Sequence, residues 1–204
     1  MGLFPDTLEI LIKHFERLPG IGRRSAERCA LYILEMPPKD VQGFSQALVN
    51  ALQRIKPCQR CNNITDRQIC SICEDSSRDH SLVCIVEEPK DVFALEKTGK
   101  FKGVYHVLLG TIDPLESKGP QSLHLRQLLN RIDKGEIKEV IIATDSDAQG
   151  EATAAYLADL FKDKGVLLTR IGLGVPMGAD LELVDIFSLS KALENRKPFS
   201  PNNQ

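Results

Sequence analysis

Two closely spaced cysteine pairs, Cys58-Gln-Arg-Cys61 and Cys70-Ser-Ile-Cys73, constrain this chain more than any other feature. In a C-x2-C-x8-C-x2-C arrangement each tight turn aims two thiolates at one point, and the linker lets the second turn face the first, so the four close a tetrahedral Zn2+ site. A redox role is the competing reading. Redox motifs of this kind come singly on a βαβ unit, whereas here two stand together with only the polar NNITDRQI between them. Four thiolates leave no open coordination position, so the metal, one per chain, is expected to be structural. Cys29 and Cys84 fall on the apolar side of a predicted helix and strand and are expected to be core residues.

The knuckle divides two different patterns. Upstream, Leu8, Leu11, Ile12, Phe15 and Leu18 recur at helical spacing, Leu18-Pro19-Gly20-Ile21-Gly22 breaks the period, and Ala26, Cys29, Ala30, Ile33 and Leu34 resume it until Pro37-Pro38. That is a helix–hairpin–helix. A third helix is predicted from about Asp40 to Arg54, burying Val41, Phe44, Leu48 and Leu52. Downstream, strands over 82–86, 104–109, 140–144 and 166–171 alternate with helices over 92–98, 123–132 and 151–164. Such alternation builds an α/β domain with a mostly parallel sheet covered by helices on both faces. The last ten residues, NRKPFSPNNQ, are expected to fray.

Among the 204 residues, 42% are hydrophobic and 26% charged, which excludes a wholly disordered chain, a collagen-like repeat and a coiled-coil rod. No apolar run approaches the roughly 18 residues that cross a bilayer, so no membrane partner is expected. The opening MGLFPDTLEI lacks the basic and greasy regions of a secretory signal, and Asp6 spoils a myristoylation pattern, so a cytoplasmic location is expected. The net charge of −2 conceals a basic front: residues 1–57 hold eight Lys/Arg against six Asp/Glu. A local cationic patch is what phosphate responds to.

Two constellations besides the cysteines carry chemistry. Gly20 and Gly22 leave backbone amides unobstructed just before a helix N-terminus, with Arg23 and Arg24 beside them and Arg28 one turn on. Such a site grips a phosphate without reading a base; the alternative is a plain αα-hairpin whose glycines only permit the turn. In the second, one predicted strand ends in Glu87 and another in Asp145-Ser-Asp147, followed by Glu151. Functional groups gather beyond the carboxyl ends of parallel strands. Asp145 and Asp147, two apart on an extended chain, would point the same way, with Glu87 in reach, and three such oxygens suit Mg2+. Alternatively the acids cap the next helix.

Taken together, Leu18-Pro-Gly-Ile-Gly-Arg-Arg-Ser-Ala-Glu-Arg, the four-cysteine knuckle, Ile85-Val-Glu-Glu-Pro-Lys-Asp-Val, Ala143-Thr-Asp-Ser-Asp-Ala-Gln-Gly-Glu-Ala-Thr-Ala and Gly174-Val-Pro-Met-Gly-Ala-Asp-Leu-Glu resemble the bacterial RecR family of recombination mediators, over nearly the whole chain. The resemblance implies a helix–hairpin–helix over 1–56, a zinc finger over 57–80, a Toprim domain over 81–176 and an oligomerisation segment and tail over 177–204. It implies Arg23 and Arg24 as DNA contacts, Cys58, Cys61, Cys70 and Cys73 as zinc ligands, and Glu87, Asp145, Asp147 and Glu151 as the Toprim acidic set. The Gly174–Glu182 segment corresponds to a region of subunit contacts. Family members work with RecO and RecF in gap repair, help load the recombinase at gaps, and form dimers and ring-like tetramers around DNA, which places the chain with the nucleoid.

One departure matters. Many relatives have lost acids from the Asp-x-Asp pair, yet this sequence keeps both. A topoisomerase route still needs a tyrosine nucleophile, and Tyr32, Tyr105 and Tyr156 all fall in predicted element cores. The leading expectation is therefore a non-enzymatic clamp on double- and single-stranded DNA; the alternative is a small Mg2+-dependent nuclease or phosphoryl-transfer enzyme using Glu87, Asp145 and Asp147. With only 5% aromatic residues and no Trp, the chain offers little stacking surface and is expected to need several copies to hold DNA.

Overall fold

The computed structural model describes residues 4–113, 115–196 and 198, so most of the tail expected to fray lies outside the described residues. The chain forms two compact units, one ending at Ile55 and one beginning at Lys56.

In the first unit, α1 (Asp6–Glu16) carries Asp6 and Glu9 in its first turn and Lys13 and His14 in its last, which suits the helix dipole at both ends. The chain reverses through Gly20, whose φ of +79° is left-handed and costs glycine nothing. Gly22 then opens α2 (Arg23–Glu35), which stops where Met36 turns extended ahead of Pro37. Fully buried Ile12, Ala26 and Ala30 join the two helices, with Leu8, Leu11, Phe15 and Ile21 packed around them. Small residues on α2 permit the close approach. They also make the buried face narrow, so Leu34 and Tyr32, expected inside, are each 65% exposed, and Cys29 is only half-buried.

Pro38 sits at the start of α3 (Pro38–Arg54), where its missing N–H is not needed. The helix is where the sequence predicts it, but it buries none of its residues: Phe44, Leu48 and Leu52 are exposed and Val41 is half-buried.

The second unit opens with the knuckle. β1 (Lys56–Pro57) pairs antiparallel with β2 (Ile64–Thr65), and the single turn α4 (Ser71–Glu74) carries Cys73. The α/β part follows: β3 (Asp79–Val86), α5 (Pro89–Glu96), β4 (Gly103–Val107), α6 (Arg126–Asp133), β5 (Glu139–Ile142), α7 (Ala148–Phe161), β6 (Leu167–Arg170) and α8 (Ile186–Glu194). The four long strands form one all-parallel sheet in the order β4-β3-β5-β6.

Period-two alternation sends alternate side chains of each strand to opposite faces. Val83, Ile85, Val104, Val140 and Ile142 pack with Leu128 and Ile132 of α6 and Leu157 and Phe161 of α7. Cys84, Val86, Tyr105 and Val107 pack on the other face with Val92 of α5. From β3 the chain leaves toward β4; from β5 it leaves the opposite way toward β6. The carboxyl ends of β3 and β5 therefore flank a topological switch point, the crevice where parallel sheets place their sites.

Candidate functional site

Cys58, Cys61, Cys70 and Cys73 are all buried, unbridged, and bring their sulfur atoms within 4.8 Å of one another. The Cys61 and Cys70 sulfurs are 3.6 Å apart. Zinc–sulfur bonds of about 2.3 Å at tetrahedral angles require about 3.8 Å between sulfurs, so the donor set fits Zn2+. The backbone N–H groups of Arg60 and Cys70 donate to Cys58 Sγ at 3.5 and 3.3 Å, as turns wrapped around a thiolate do. With all four positions taken by sulfur, the zinc is structural.

The knuckle is fastened to the sheet by Asn62, whose left-handed φ of +61° lets the chain turn back on itself. Its side-chain amide donates to the carbonyls of Val107 and His124 at 3.0 Å each, while the Val107 N–H donates to the Cys61 carbonyl at 2.8 Å. Sequence reasoning missed Asn62. An Asn directly after a Cys-x-x-Cys turn, a residue that tolerates positive φ, was the available signal.

At the hairpin, Gly22 is the N-cap of α2 and, among the described residues, no side chain caps the helix, so the first-turn amides stay open. The guanidinium groups divide. Arg23, expected beside phosphate, is engaged by carboxylates in the free chain: Glu9 at 2.6 Å, Glu27 at 2.7 Å and Glu16 at 3.6 Å. Its hydrogen bonds to Glu9 and Glu27 raise its pKa further, while the same arginine holds the Glu9 carboxyl below its usual range. Arg23 thus clamps α1 to α2. Arg24 and Arg28 are exposed and, among the described residues, in no ion pair; with Ser25, Glu27 and Leu31 they line an open cavity of about 500 Å³.

At the switch point, Glu87 is 7% exposed and its carboxylate accepts the Asp145 N–H at 3.1 Å. Burial pushes its pKa from 4.5 up to about 7 against that bond, with the negative charges of Asp145 and Asp147 adding to the rise. Asp147 is the N-cap of α7 and accepts the Gly150 N–H at 2.8 Å. β5 ends at Ile142, so Asp145 and Asp147 lie in the loop between β5 and α7 and not on the strand itself. Glu151 turns to Arg170 of β6, at 2.6 and 3.0 Å, and that guanidinium holds the Glu151 carboxyl below its ordinary value.

Among the described residues only the four cysteines bring three or more metal-ligating atoms within 4.8 Å; the four carboxylates are not drawn together to that degree. Gly150 fixes this loop. A side chain there would collide with the Asp145 carbonyl oxygen, so only glycine lets α7 start against it. Tyr105 is fully buried, its hydroxyl donating to Glu96 at 2.8 Å, and Tyr156 is half-buried, whereas Tyr32 stands exposed on α2.

Comparison with protein families assigns each of these pieces. Residues 8–52 match the RecR helix-hairpin-helix, 55–75 the RecR four-cysteine zinc finger domain, 81–172 the Toprim domain and 174–197 the RecR C-terminal family. The four matches succeed one another along almost the whole chain, and each falls on the elements that build the hairpin, the knuckle, the parallel sheet and α8. The chain belongs to the RecR family and has a role in DNA recombination and repair.

Proposed function

We propose that the chain is a non-enzymatic DNA-binding mediator that assembles from homodimers to homotetramers as a clamp, binds double- and single-stranded DNA, and works with RecO and RecF to load the recombinase at gaps. The observation that carries this reading is the hairpin: open first-turn amides followed by Arg24 and Arg28, both exposed and uncommitted among the described residues. Two or three phosphate contacts per copy are a weak grip. Several copies on one duplex convert weak grips into avidity.

Assembly is supported by apolar surface in two places. Phe44, Leu48 and Leu52 of α3 are exposed, as are Met177, Leu181, Leu183, Ile186 and Phe187 near the carboxyl terminus. Runs of large apolar side chains on one surface mark contacts with other chains. Among the described residues no helix is long and apolar enough to cross a membrane, and the DNA this reading calls for is met in the cytoplasm, at the nucleoid.

The acids at the switch point are committed in ways that disfavour catalysis: Asp147 caps a helix, Glu151 is paired with Arg170, and Glu87 is held toward its neutral form. A second reading, a Mg2+-dependent phosphoryl-transfer enzyme, draws on Glu87 and the Asp145 loop meeting at the switch point.

One experiment separates them. DNA binding and sedimentation across protein concentration and salt are measured for the parent, Arg23→Ala and the double variant Arg24→Ala/Arg28→Ala. The double variant loses about 2 from the log–log salt slope and Arg23→Ala leaves the slope unchanged. A parent slope retained by the double variant removes the hairpin from the interface, and a strict monomer at every concentration removes the clamp. Labelled DNA incubated with Mg2+ stays intact; cleavage abolished by Asp147→Asn reverses the ranking of the two readings.

A further inference from the structure

The apolar stripe of α6 contains one charge. Leu128 and Ile132 are buried, and Arg131 lies between them on the same side, only 6% exposed. Its donors are mostly unused. Nη2 donates to the His80 carbonyl at 3.1 Å, but Nε and Nη1, both shut away from solvent, have no hydrogen-bond partner among the described residues. The nearest carboxylate, Glu136, stays 3.7 Å from Nε and is itself 42% exposed, and it is shared with Arg60 at 3.9 Å. A buried guanidinium with two idle nitrogens is costly unless a charge faces it.

The missing charge is in the knuckle. Zn2+ held by four thiolates carries a net charge of −2. Cys58 is served by two backbone N–H groups, that of Arg60 in its own turn and that of Cys70 opening the second, but among the described residues neither Cys61 nor Cys73 accepts from any N–H. Arg131 reaches the knuckle through Glu136, which lies beside Arg60, the residue just before Cys61, and Gln59, Arg60 and Ile69 of the knuckle line one cavity with Arg131. Two sulfurs without amide donors and a guanidinium with two unpaired nitrogens thus belong to one region of the fold.

The geometry points to Arg131 as the internal counter-cation of the zinc–tetrathiolate, a positioning residue through which α6 of the sheet domain holds zinc in the finger. Partners outside the ligand set tune metal affinity in many sites, with losses of about 10–100-fold on their removal. The inference rests on the zinc centre and is independent of the DNA reading.

The test uses the full zinc-loaded chain and follows zinc transfer to a chromogenic chelator, together with alkylation of the cysteine thiols. Arg131→Met keeps the apolar bulk without the charge, Arg131→Lys keeps the charge, and Glu136→Gln removes the neighbouring acid. Arg131→Met speeds both zinc loss and alkylation by about 10–100-fold, Arg131→Lys recovers most of the parent's retention, and Glu136→Gln leaves it unchanged or slower. Parent-like zinc loss from Arg131→Met shows that bulk alone matters there and overturns the assignment. So does Arg131→Lys losing zinc as fast as the Met variant, or Glu136→Gln reproducing its loss.

Discussion

Replacing Glu87 by Gln tests the acidic crevice directly, because the amide keeps the side chain's size and its acceptor for the Asp145 N–H while removing its titration. The carboxyl is 7% exposed, and its pKa rises from 4.5 to about 7 because burial penalises the charge, with one N–H donor as partial compensation. The folded chain therefore holds the Glu87 proton more tightly than the unfolded chain does. Its contribution to stability is intact below pH 4.5 and is lost as the pH rises through about 7. A separation of that size corresponds to about 3 kcal/mol. Urea unfolding of parent and Glu87→Gln, measured from acid to mildly alkaline pH, isolates this group from every other titration as the difference between the two curves. That difference grows in favour of Glu87→Gln by about 3 kcal/mol between the two pKa values and levels off above them. A flat difference refutes the desolvation argument. A difference of the opposite sign shows that the ionised carboxylate has a cationic partner, and the metal-binding reading of the crevice would gain accordingly.

Three further outcomes probe the neighbouring geometry. If Asp147 acts as a cap, Asp147→Ala costs about 1 kcal/mol in chemical unfolding while Asp147→Asn, which still accepts the Gly150 N–H, is nearly neutral; equal losses contradict the cap. Gly150→Ala forces a methyl group against the Asp145 carbonyl and destabilises the chain by about 3 kcal/mol or more, read by the same unfolding; a neutral substitution would show that the loop is free to move. Cys58→Ser abolishes zinc binding and raises amide exchange over 58–75 and at Val107, whose N–H is held by the Cys61 carbonyl; one zinc per chain in the variant refutes the four-thiolate site.

Much of the fold is legible in the sequence because each element carries its own period. Leu8, Leu11, Ile12 and Phe15 disclose α1, and Val83–Val86 and Val140–Ile142 disclose the two central strands. The knuckle's spacing leads directly to its four buried sulfurs. Period alone says which face of an element is apolar and nothing about what covers it, which is why α3 is found where predicted but with Phe44, Leu48 and Leu52 exposed. The strands β1 and β2, two residues each, are too short for any period to register.

The site residues divide along a different line. A side chain's type is written in the sequence, but its partner is set by tertiary contact. Arg23 and Arg24 are adjacent and chemically identical, yet the helix phase turns Arg23 toward Glu9 of the preceding helix and leaves Arg24 outside; only the Glu27 partner, four residues on, could be read along the chain. Arg131 is the converse case. A lone charge between Leu128 and Ile132 breaks an otherwise apolar stripe, and such a break in local consistency marks a residue whose partner lies elsewhere in the fold. Asp147 shows both effects at once: its position before a helix is enough to raise the cap as an alternative, and the bond it accepts from the Gly150 N–H is formed. Capping occupies one oxygen of Asp147 and leaves the other free, while Glu87 is the carboxyl whose ionisation burial opposes. The same burial that seats the loop against the sheet is therefore an opposition that the charge of any bound cation would have to offset.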